Sequence, residues 1–403
     1  MVGSGGREHA LAHALGRASD DVVTPGDPGI PGSTSAPAEE VEADLYVIGP
    51  EQPLVDGLAD RLRARGKLVF GPGADGARLE GSKAWMKGVL EAAGVPTARY
   101  GAFREPEPAL EFLKGLPGLY VVKTDGLAAG KGVVVTESLA DAADAVRSYL
   151  SGAAFGDAGR TIVIEEGLDG PELSVLAVCD GRRAAALEPA QDFKRVGDAG
   201  TGPNTGGMGA YSPVAVAGPE VVDAVMARAV EPTLAFLRDQ GIDYRGVLYA
   251  GLMLTPEGPK VLEYNVRFAD PETQVVLPRM TGDLARLLAE AAAGRLRSAP
   301  AFAADACVTV VLATEGYPAA HRTGDVIEGL DEVPSDVTVY CAGVKRDEAG
   351  RLVTAGGRVL DVTASGETLV EARQRAYAAA ARIHWPGMHH RTDIARDAAK
   401  QEP

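Results

Sequence analysis

One stretch of the sequence, residues 261–268, reads VLEYNVRF and alternates apolar with polar side chains. Successive side chains of a strand point to opposite faces, so the pattern predicts that Glu263, Asn265 and Arg267 share one face. Such a set is typical of a site where a hard cation bridges phosphates and an arginine stabilises the transferred group. A half-exposed amphipathic strand with an ion pair is the alternative. The next residues, ADPET at 269–273, favour a site because they add a second acidic group in a constrained turn.

The composition limits the class of protein. The chain has 403 residues, which suggests two to four domains. Its 40 Lys and Arg against 56 Asp and Glu give a net charge of −16, which argues against non-specific binding to nucleic acid or to an anionic membrane. No apolar run approaches the ~20 residues of a membrane span, and no secretion signal is visible. Three widely separated cysteines form no metal-ligand spacing, so a reduced, cytoplasmic location is predicted.

Glycine is the over-represented residue: the chain has 50, about twice the average usage. Residues 123–132 read KTDGLAAGKG and superficially resemble a P-loop. However, the flanking glycines are one residue too close, and Lys131 precedes Gly132 instead of Ser or Thr. Three β-branched residues follow, which favours a strand. The segment predicts a glycine-tipped β-hairpin that folds over phosphates and presents Lys123 and Lys131, although a flexible hairpin with solvated lysines explains it equally well.

A second glycine-rich run follows the charged segment QDFKR at 191–195 and contains six glycines between positions 197 and 209. Backbone that approaches a ligand closely, or that moves as a lid, needs such residues. A disordered surface loop is the alternative. The charges of Asp192, Lys194 and Arg195 favour a site, though weakly.

Two further segments carry acidic or glycine signals. Residues 162–167, IVIEEG, end a buried strand with two carboxylates, and Glu172 follows. Strand-end backbone groups can pair with an adenine edge and a carboxylate can bind ribose hydroxyls, but the residues alone favour a solvated acidic turn. The opening GSGG at 3–6 leads into a helix and predicts an anion site, where Arg7 suits a phosphate.

His9 and His13 lie four residues apart on that opening helix. No carboxylate or cysteine cluster completes a metal site, so a pair on a helix face is favoured over zinc.

The coarse secondary structure indicates an α/β protein. Strands predicted at 44–50 and 67–72 flank a charged helix at 54–65, which suggests a parallel sheet with crossovers. A helix is predicted at 83–93, and Thr368 with Glu371 forms a capping-box pattern before a C-terminal helix. Further strands are predicted at 119–123, 133–136, 161–165, 173–178, 246–255, 260–268, 307–314, 337–344 and 358–363, with a helix-rich stretch at 220–239.

Together these motifs closely resemble the glycinamide ribonucleotide synthetases (phosphoribosylamine–glycine ligases), a family of ATP-grasp enzymes. The most specific are GPNTGGMGAY at 202–211 and RFADPETQ at 267–274. The matching stretches are 3–11, 49–54, 79–83, 123–135, 191–213, 249–253, 263–274 and 322–326.

The resemblance implies an α/β ATP-grasp fold with an N-terminal parallel α/β (preATP-grasp) domain and a C-terminal mixed α+β domain. The implied bounds are 1–82, 83–295 and 296–403, with a mobile lid subdomain at about 98–166. The implied reaction joins glycine to 5-phosphoribosylamine with ATP and Mg²⁺ or Mn²⁺, through a glycyl phosphate, in de novo purine biosynthesis. The resemblance also implies a monomer that has no nucleic-acid or membrane partner.

The resemblance further implies roles for individual residues. Glu263 and Asn265 would hold the metal, and Arg267 would stabilise the acyl phosphate. Asp192 and Lys194 would act around glycine and the amine. The residues implied to bind ATP are Lys83, Lys123, Gly130, Lys131, Glu165, Glu166, Gly167 and Glu172. The residues implied to bind the other substrates are Gly5, Gly6, Arg7, Glu51, Gly206, Gly207, Pro271 and Glu272.

The sequence departs from the family pattern in three places. Only Met1 and Val2 precede the glycine loop, the segment between Asp20 and Asp44 is short, and Ala269 replaces the usual glycine. The first two departures mean either that the N-terminal domain is reduced or that residues are missing from the sequence, and they affect the prediction of ribosylamine binding more than that of ATP binding.

Three alternatives are set against this interpretation. Another ATP-grasp ligase or carboxylase would share the hairpin and the metal strand, but the glycine-rich run at 197–209 discriminates against it. A dinucleotide-binding oxidoreductase needs an acidic residue at the end of a second strand, whereas the acidic residues at that distance adjoin a proline-glycine stretch. The intact Glu263, Asn265 and Arg267 argue against an inactive nucleotide-binding regulator.

Overall fold

A small parallel sheet organises the N-terminal region of the computed structural model, which describes residues 1–127, 132–152 and 160–402. The strands Tyr46–Val47 and Val69–Phe70 pair in parallel, as predicted. Val2 adds isolated parallel bridges to Thr24 and Ile48, so the residue before the glycine loop lies in the sheet. The helices of this region are Gly6–Leu15, Glu51–Val55, Leu58–Ala64 and Ala74–Gly81.

The predicted single helix at 54–65 is wrong in detail, because the structure has two helices there. Gly57 separates them with φ +76°, a left-handed conformation that interrupts the helix and that glycine adopts without steric cost. Residues 20–44 contain the short 3₁₀ turn Ala38–Glu40 and otherwise irregular backbone.

A four-stranded antiparallel sheet forms a separate layer between residues 100 and 166. Its strand order is Tyr100–Phe103, Ile162–Glu166, Tyr120–Thr124, Val133–Thr136. The helices Pro106–Lys114 and Leu139–Leu150 pack together on it and form a core of their own, which includes Val122, Val146 and Ile164. The predicted hairpin is confirmed, since Lys123 pairs with Val133, but its tip at 128–131 lies outside the described residues.

The central sheet carries the predicted metal strand. Its antiparallel order is Gly258–Asn265, Arg245–Thr255, Glu172–Asp180, Ala184–Ala186. The strand ends at Asn265 instead of 268, yet the alternation continues, because Tyr264, Val266 and Phe268 are all buried. The surrounding helices are Lys83–Ala92, Pro219–Val225, Glu231–Asp239, Thr273–Val276 and Leu284–Ala292, and a π-helical turn, Met226–Val230, joins the second to the third.

A five-stranded antiparallel sheet joins the C-terminal region to the middle of the chain. Its order is Val337–Cys341, Arg358–Gly366, Ala306–Ala313, Gly209–Ser212, Gln191–Asp192. Strands from both sides of the predicted boundary at 295/296 therefore share one sheet. The helix Leu369–Ala380 packs on it, and its Thr368 cap accepts a hydrogen bond from the Glu371 amide as predicted. The remaining C-terminal elements are the strands Val344–Arg346 and Leu352–Thr354, the 3₁₀ turn Leu330–Glu332 and the helix Arg396–Gln401.

The second glycine-rich run is ordered as a hairpin, not as a disordered loop. The strands Arg195–Gly197 and Thr201–Asn204 pair in antiparallel fashion. The chain near the C-terminus holds this hairpin, since the Thr392 amide donates to Asp198 Oδ1 and the Ala199 amide donates to Asp393 Oδ2, both at 2.8 Å. Among the helices of the described residues, none is long and apolar enough to cross a membrane.

Candidate active site

A cavity of about 500 Å³ opens where the N-terminal region, the central sheet and the five-stranded sheet meet. Many of the predicted site residues line it together. These are Arg7, Glu51, Lys83, Asp192, Lys194, Gly206, Glu263, Asn265, Arg267 and Glu272. The cavity is also lined by residues that the sequence did not single out, including Glu80, Thr205, Tyr249, Asp270, Tyr317, His321 and Arg358.

Arg267 is fixed at the cavity wall by two carboxylates. Its Nη2 lies 2.9 Å from Glu80 Oε1, and its Nε lies 3.4 Å from Glu51 Oε2. Burial alone would lower the pKa of Arg267, but Glu80 and Glu51 outweigh burial and raise it. The second oxygen of Glu80 accepts from the Val266 amide at 2.8 Å, so this buried carboxylate holds both the arginine and the strand that leads to it. Arg267 is therefore a permanently charged guanidinium in a fixed orientation.

Glu263 and Asn265 face the cavity from the same strand as predicted. Within the described residues, neither side chain has a hydrogen-bond or ion-pair partner, so their oxygens are open to a ligand. A carboxylate and an amide oxygen are the hard donors that Mg²⁺ or Mn²⁺ prefers. The described part of the chain contains no group of three or more His, Cys, Asp or Glu that could hold a metal alone. The donor set thus fits a cation that takes its remaining ligands from phosphate and water.

Lys194 lies among carboxylates on one side of the cavity. Its Nζ lies 2.7 Å from Glu172 Oε2 and 2.9 Å from Asp192 Oδ1. Lys194 lowers the pKa of Glu172, whereas burial raises the pKa of Asp192. Glu172, implied to bind ribose, thus forms an ion pair at the cavity edge.

Glu272 is a nearly buried carboxylate at the same side of the cavity. Its Oε1 accepts from Ser174 Oγ at 2.8 Å, and Ser174 Oγ lies 3.0 Å from Tyr249 Oη. Burial, reinforced by the charge of Asp192, raises the pKa of Glu272 to about 7. Asp192 and Glu272 together provide carboxyl oxygens to which a substrate ammonium group could donate, and the charge of that group would favour their ionised forms.

Two of the lysines predicted to bind ATP come from different elements: Lys83 begins the helix Lys83–Ala92, and Lys123 lies on a central strand of the four-stranded sheet. Lys83 lines the cavity and donates to the Gly126 carbonyl at 3.0 Å. Lys123 Nζ lies 2.8 Å from Glu165 Oε1, so the Glu165 side chain contacts a lysine. The Glu165 backbone lies in a central strand and is paired with Tyr100 and Val121. Burial lowers the pKa of Lys83, whereas Glu165 and Glu263 outweigh the effect of burial on Lys123 and raise its pKa.

Glu166 and Gly167, also predicted to bind ATP, are not among the residues that line the cavity. Glu166 Oε1 accepts from the Arg99 amide at 2.9 Å, and the Gly167 amide donates to the Leu119 carbonyl at 2.7 Å. These contacts tie both residues to the neighbouring strands of the four-stranded sheet. Gly130 and Lys131 lie outside the described residues.

The N-terminal glycine loop and the helix after it contact the segment that follows the strand Gly258–Asn265, where Arg267 and Phe268 lie. The Gly5 amide donates to Glu8 Oε2 at 2.7 Å, and Arg7 Nε donates to Glu8 Oε1 at 2.6 Å. Arg7 Nη1 also donates to the Phe268 carbonyl at 3.2 Å. The first helix thus presents Arg7 to the same cavity as the metal strand.

Arg358 is a site residue that sequence reasoning missed. Its Nη2 lies 2.9 Å from Asp270 Oδ2, and its Nη1 donates to the Gly206 carbonyl at 2.7 Å. It therefore joins the ADPET turn to the glycine-rich run. Gly207 lies against Pro271 with φ +108°, and a Cβ there would come within 2.4 Å of the proline ring. No local pattern around Arg358 could have indicated this, because its partners are far away in the sequence.

Comparison with known proteins agrees with this architecture. The biotin carboxylase domain of Hydrogenobacter thermophilus 2-oxoglutarate carboxylase, solved with MgADP and bicarbonate, has a TM-score of 0.72 at 18% identity and covers 96% of this chain and 90% of its own. At that identity the likeness concerns the fold alone. The family models for phosphoribosylglycinamide synthetase match the N domain at residues 1–80, the ATP-grasp (A) domain at 81–273 and the C domain at 307–397. Fold and cavity thus define an ATP-dependent ligase of the ATP-grasp class.

Closer relatives specify the family. The phosphoribosylamine–glycine ligase of Xanthomonas axonopodis pv. citri is 47% identical over 424 residues, covering 100% of this chain and 98% of the relative. That of Streptomyces coelicolor is 47% identical over 421 residues and covers 99% of each. The crystal structure of the Thermotoga maritima ligase has a TM-score of 0.87 at 36% identity and covers 98% of this chain and 99% of its own. The chain belongs to the phosphoribosylglycinamide synthetase family, which confirms the predicted fold class and family.

Proposed function

We propose that this protein joins glycine to 5-phosphoribosylamine with ATP, and releases glycinamide ribonucleotide, ADP and phosphate. The observation that supports this most directly is the meeting of three groups in one cavity: the open oxygens of Glu263 and Asn265, the fixed Arg267, and Arg7 beside the glycine loop. A metal site, an anion-stabilising group and a phosphate-binding helix start are what such a ligase needs. The family relatives that carry the name phosphoribosylamine–glycine ligase support the choice of substrates.

In the first step, an oxygen of the glycine carboxylate would attack the γ-phosphorus of ATP, and ADP would leave. Arg267, which lines the cavity and pairs with Glu80, would stabilise the negative charge that develops on the transferred phosphoryl group, and Lys83 and Lys123 would bind ATP phosphates. Glu263 and Asn265 would hold Mg²⁺ or Mn²⁺, which offsets phosphate charge during transfer. Gly130 and Lys131 of the hairpin tip, together with Glu165, Glu166, Gly167 and Glu172, remain proposed ATP contacts.

In the second step, the amine nitrogen of phosphoribosylamine would attack the acyl carbon, and phosphate would leave as the nitrogen loses a proton. Asp192 and Glu272 offer negative charge to the glycine ammonium, and Lys194 keeps Asp192 in place. Gly5, Gly6, Arg7 and Glu51 would bind the ribosyl phosphate substrate. Gly206, Gly207 and the Pro271 turn would support this side of the cavity.

The proposal is tested by measuring ADP release with ATP alone, with ATP and glycine, and with ATP, glycine and freshly made phosphoribosylamine. We expect sustained release only with all three substrates. Release that does not depend on both glycine and phosphoribosylamine would contradict the proposed reaction. The same purified protein, run on a calibrated gel-filtration column, should elute as a monomer.

A further inference from the structure

Lys87 is a buried lysine that none of these steps uses. It lies on the helix Lys83–Ala92, and its side chain has no exposed surface. Its Nζ donates to Glu165 Oε2 and to Thr97 Oγ1, each at 2.7 Å, and lies 5.8 Å from the centroid of the Tyr100 ring. An isolated ammonium group is strongly disfavoured in such a place, so Glu165 is its necessary counter-ion.

Glu165 is shared between two lysines, one at each carboxylate oxygen. Lys87 Nζ lies 2.7 Å from Oε2, and Lys123 Nζ lies 2.8 Å from Oε1. Lys123 is 8% exposed and its strand partner Val133 lines the cavity, whereas the Lys87 side chain has no exposed surface. Lys123 is therefore the partner of Glu165 that lies nearer to incoming nucleotide.

The charges of this group do not cancel. Lys87, Lys123 and Glu165 contribute two ammonium groups and one carboxylate, which leaves one positive charge in surroundings that screen it far less than water does. Glu263, the other carboxylate that acts on both lysines, is the proposed metal ligand. Burial lowers the pKa of Lys87 to about 8, which still leaves it protonated at neutral pH. Without Lys87, the remaining pair of Lys123 and Glu165 would be neutral, and Lys123 would be bound to its carboxylate.

We propose that Lys87 is a positioning residue that holds Glu165 and thereby leaves the charge of Lys123 available for the phosphates of ATP. This inference rests on the proposed function in one respect, namely that Lys123 binds a phosphate group. Lys87 cannot touch the nucleotide, since it is fully buried, so its effect passes through Glu165 and Lys123.

The test compares three variants of the full chain, K87M, K87M/E165Q and K123M, by equilibrium binding of ATP and of adenosine, which lacks phosphates. K87M should weaken ATP binding about tenfold and leave adenosine binding unchanged, because only the phosphate-directed charge is lost. K87M/E165Q should return ATP affinity to within about threefold of the unmodified protein, since Lys123 is again the uncancelled charge. Removal of a buried ion pair is often tolerated, so the double variant should fold and gives a test even where K87M does not.

Each outcome has one meaning. The inference is overturned by an unchanged ATP affinity in K87M, by an equal loss of ATP and adenosine affinity, or by a double variant that stays weak for ATP. K123M separates this result from the underlying proposal: if K123M binds ATP normally, the proposed role of Lys123 is wrong. If K123M is weak but K87M is not, the role of Lys87 alone is wrong.

Discussion

Gly6 lies directly against Asp361: a Cβ atom built on Gly6 would come within 1.8 Å of Asp361 Oδ2. The glycine loop of the N-terminal region therefore touches a strand of the C-terminal sheet. Asp361 cannot easily move away, because it is almost fully buried and its Oδ2 accepts from Gln274 Nε2 at 2.9 Å. The same Gln274 nitrogen donates to Asp270 Oδ1 at 2.7 Å, so the contact is linked to the ADPET turn.

A Gly6→Ala substitution should damage both the loop and its contact with the C-terminal sheet. We expect a loss of stability of about 1–3 kcal/mol, since an inserted methyl group overpacks the site. We also expect a higher KM for phosphoribosylamine with little change for ATP. Denaturant unfolding and steady-state kinetics measure the two effects.

Gly88→Ala is the matched control for that substitution. Gly88 is exposed on the helix Lys83–Ala92, and a Cβ there meets no atom within 4 Å. Alanine should stabilise the protein by about 0.5–1 kcal/mol through helix propensity. Equal effects of the two substitutions would show that the approach of Gly6 to Asp361 is unimportant.

Arg267→Ala should lower turnover far more than ATP binding, because its charge acts mainly on the developing acyl phosphate. We expect kcat to fall about 10²–10³-fold, the range for loss of one transition-state donor, with the KM for ATP changed less than about threefold. Arg267→Lys keeps the positive charge but loses the planar guanidinium, whose separate nitrogens contact Glu80 and Glu51. It should therefore recover only part of the rate. Unchanged turnover in the alanine variant would remove Arg267 from the mechanism.

Glu263→Ala should raise the Mg²⁺ or Mn²⁺ concentration needed for half-maximal ATP turnover, by about tenfold or more, because one of two protein oxygens is lost. A titration of turnover with each metal at fixed ATP measures the shift. Glu257→Ala is the control, since Glu257 lies in the same hairpin but pairs with Lys260 outside the cavity. A metal titration curve identical to that of the unmodified protein would exclude Glu263 as a ligand.

Glu272 should make stability depend on pH. Burial raises the pKa of Glu272 in the folded protein from 4.5 to about 7, so between these values the folded state holds a proton that the unfolded state has lost. Stability therefore falls as pH rises through this window and levels off above it. Glu272→Gln removes this pH-dependent contribution to the free energy of unfolding. The stability of the variant minus that of the unmodified protein should therefore increase from pH 4.5 to 7, by on the order of 1–3 kcal/mol.

Urea unfolding of both proteins across pH 4.5–8 measures that difference. Glu348→Gln, which changes a carboxylate at an exposed position, is the control variant. A flat difference curve for Glu272→Gln would mean that Glu272 is ionised in the folded protein throughout this range.

Local sequence pattern was sufficient to predict which side chains of one strand face the cavity. The alternation at residues 261–268 placed Glu263, Asn265 and Arg267 toward one cavity even though the strand ends at Asn265, because side-chain direction along an extended chain depends on neighbours alone. The hairpin around Lys123 and the cap at Thr368 were predictable for the same reason. The left-handed Gly57, by contrast, divided a helix that periodicity alone had predicted as continuous.

The sequence by itself determined the family, the fold class and the strand that carries Glu263, Asn265 and Arg267 on one face, because these depend on short-range periodicity and contiguous motifs. Only the tertiary structure decided that Glu80 holds Arg267, that Arg358 joins Asp270 to the glycine-rich run, and that two lysines share Glu165. These partners are distant in the chain and meet only when separate sheets pack together. Which residue pairs with a buried charge depends on what the packed structure brings within reach of it. Burial makes pairing necessary, because an unpaired charge removed from water has a large unfavourable free energy.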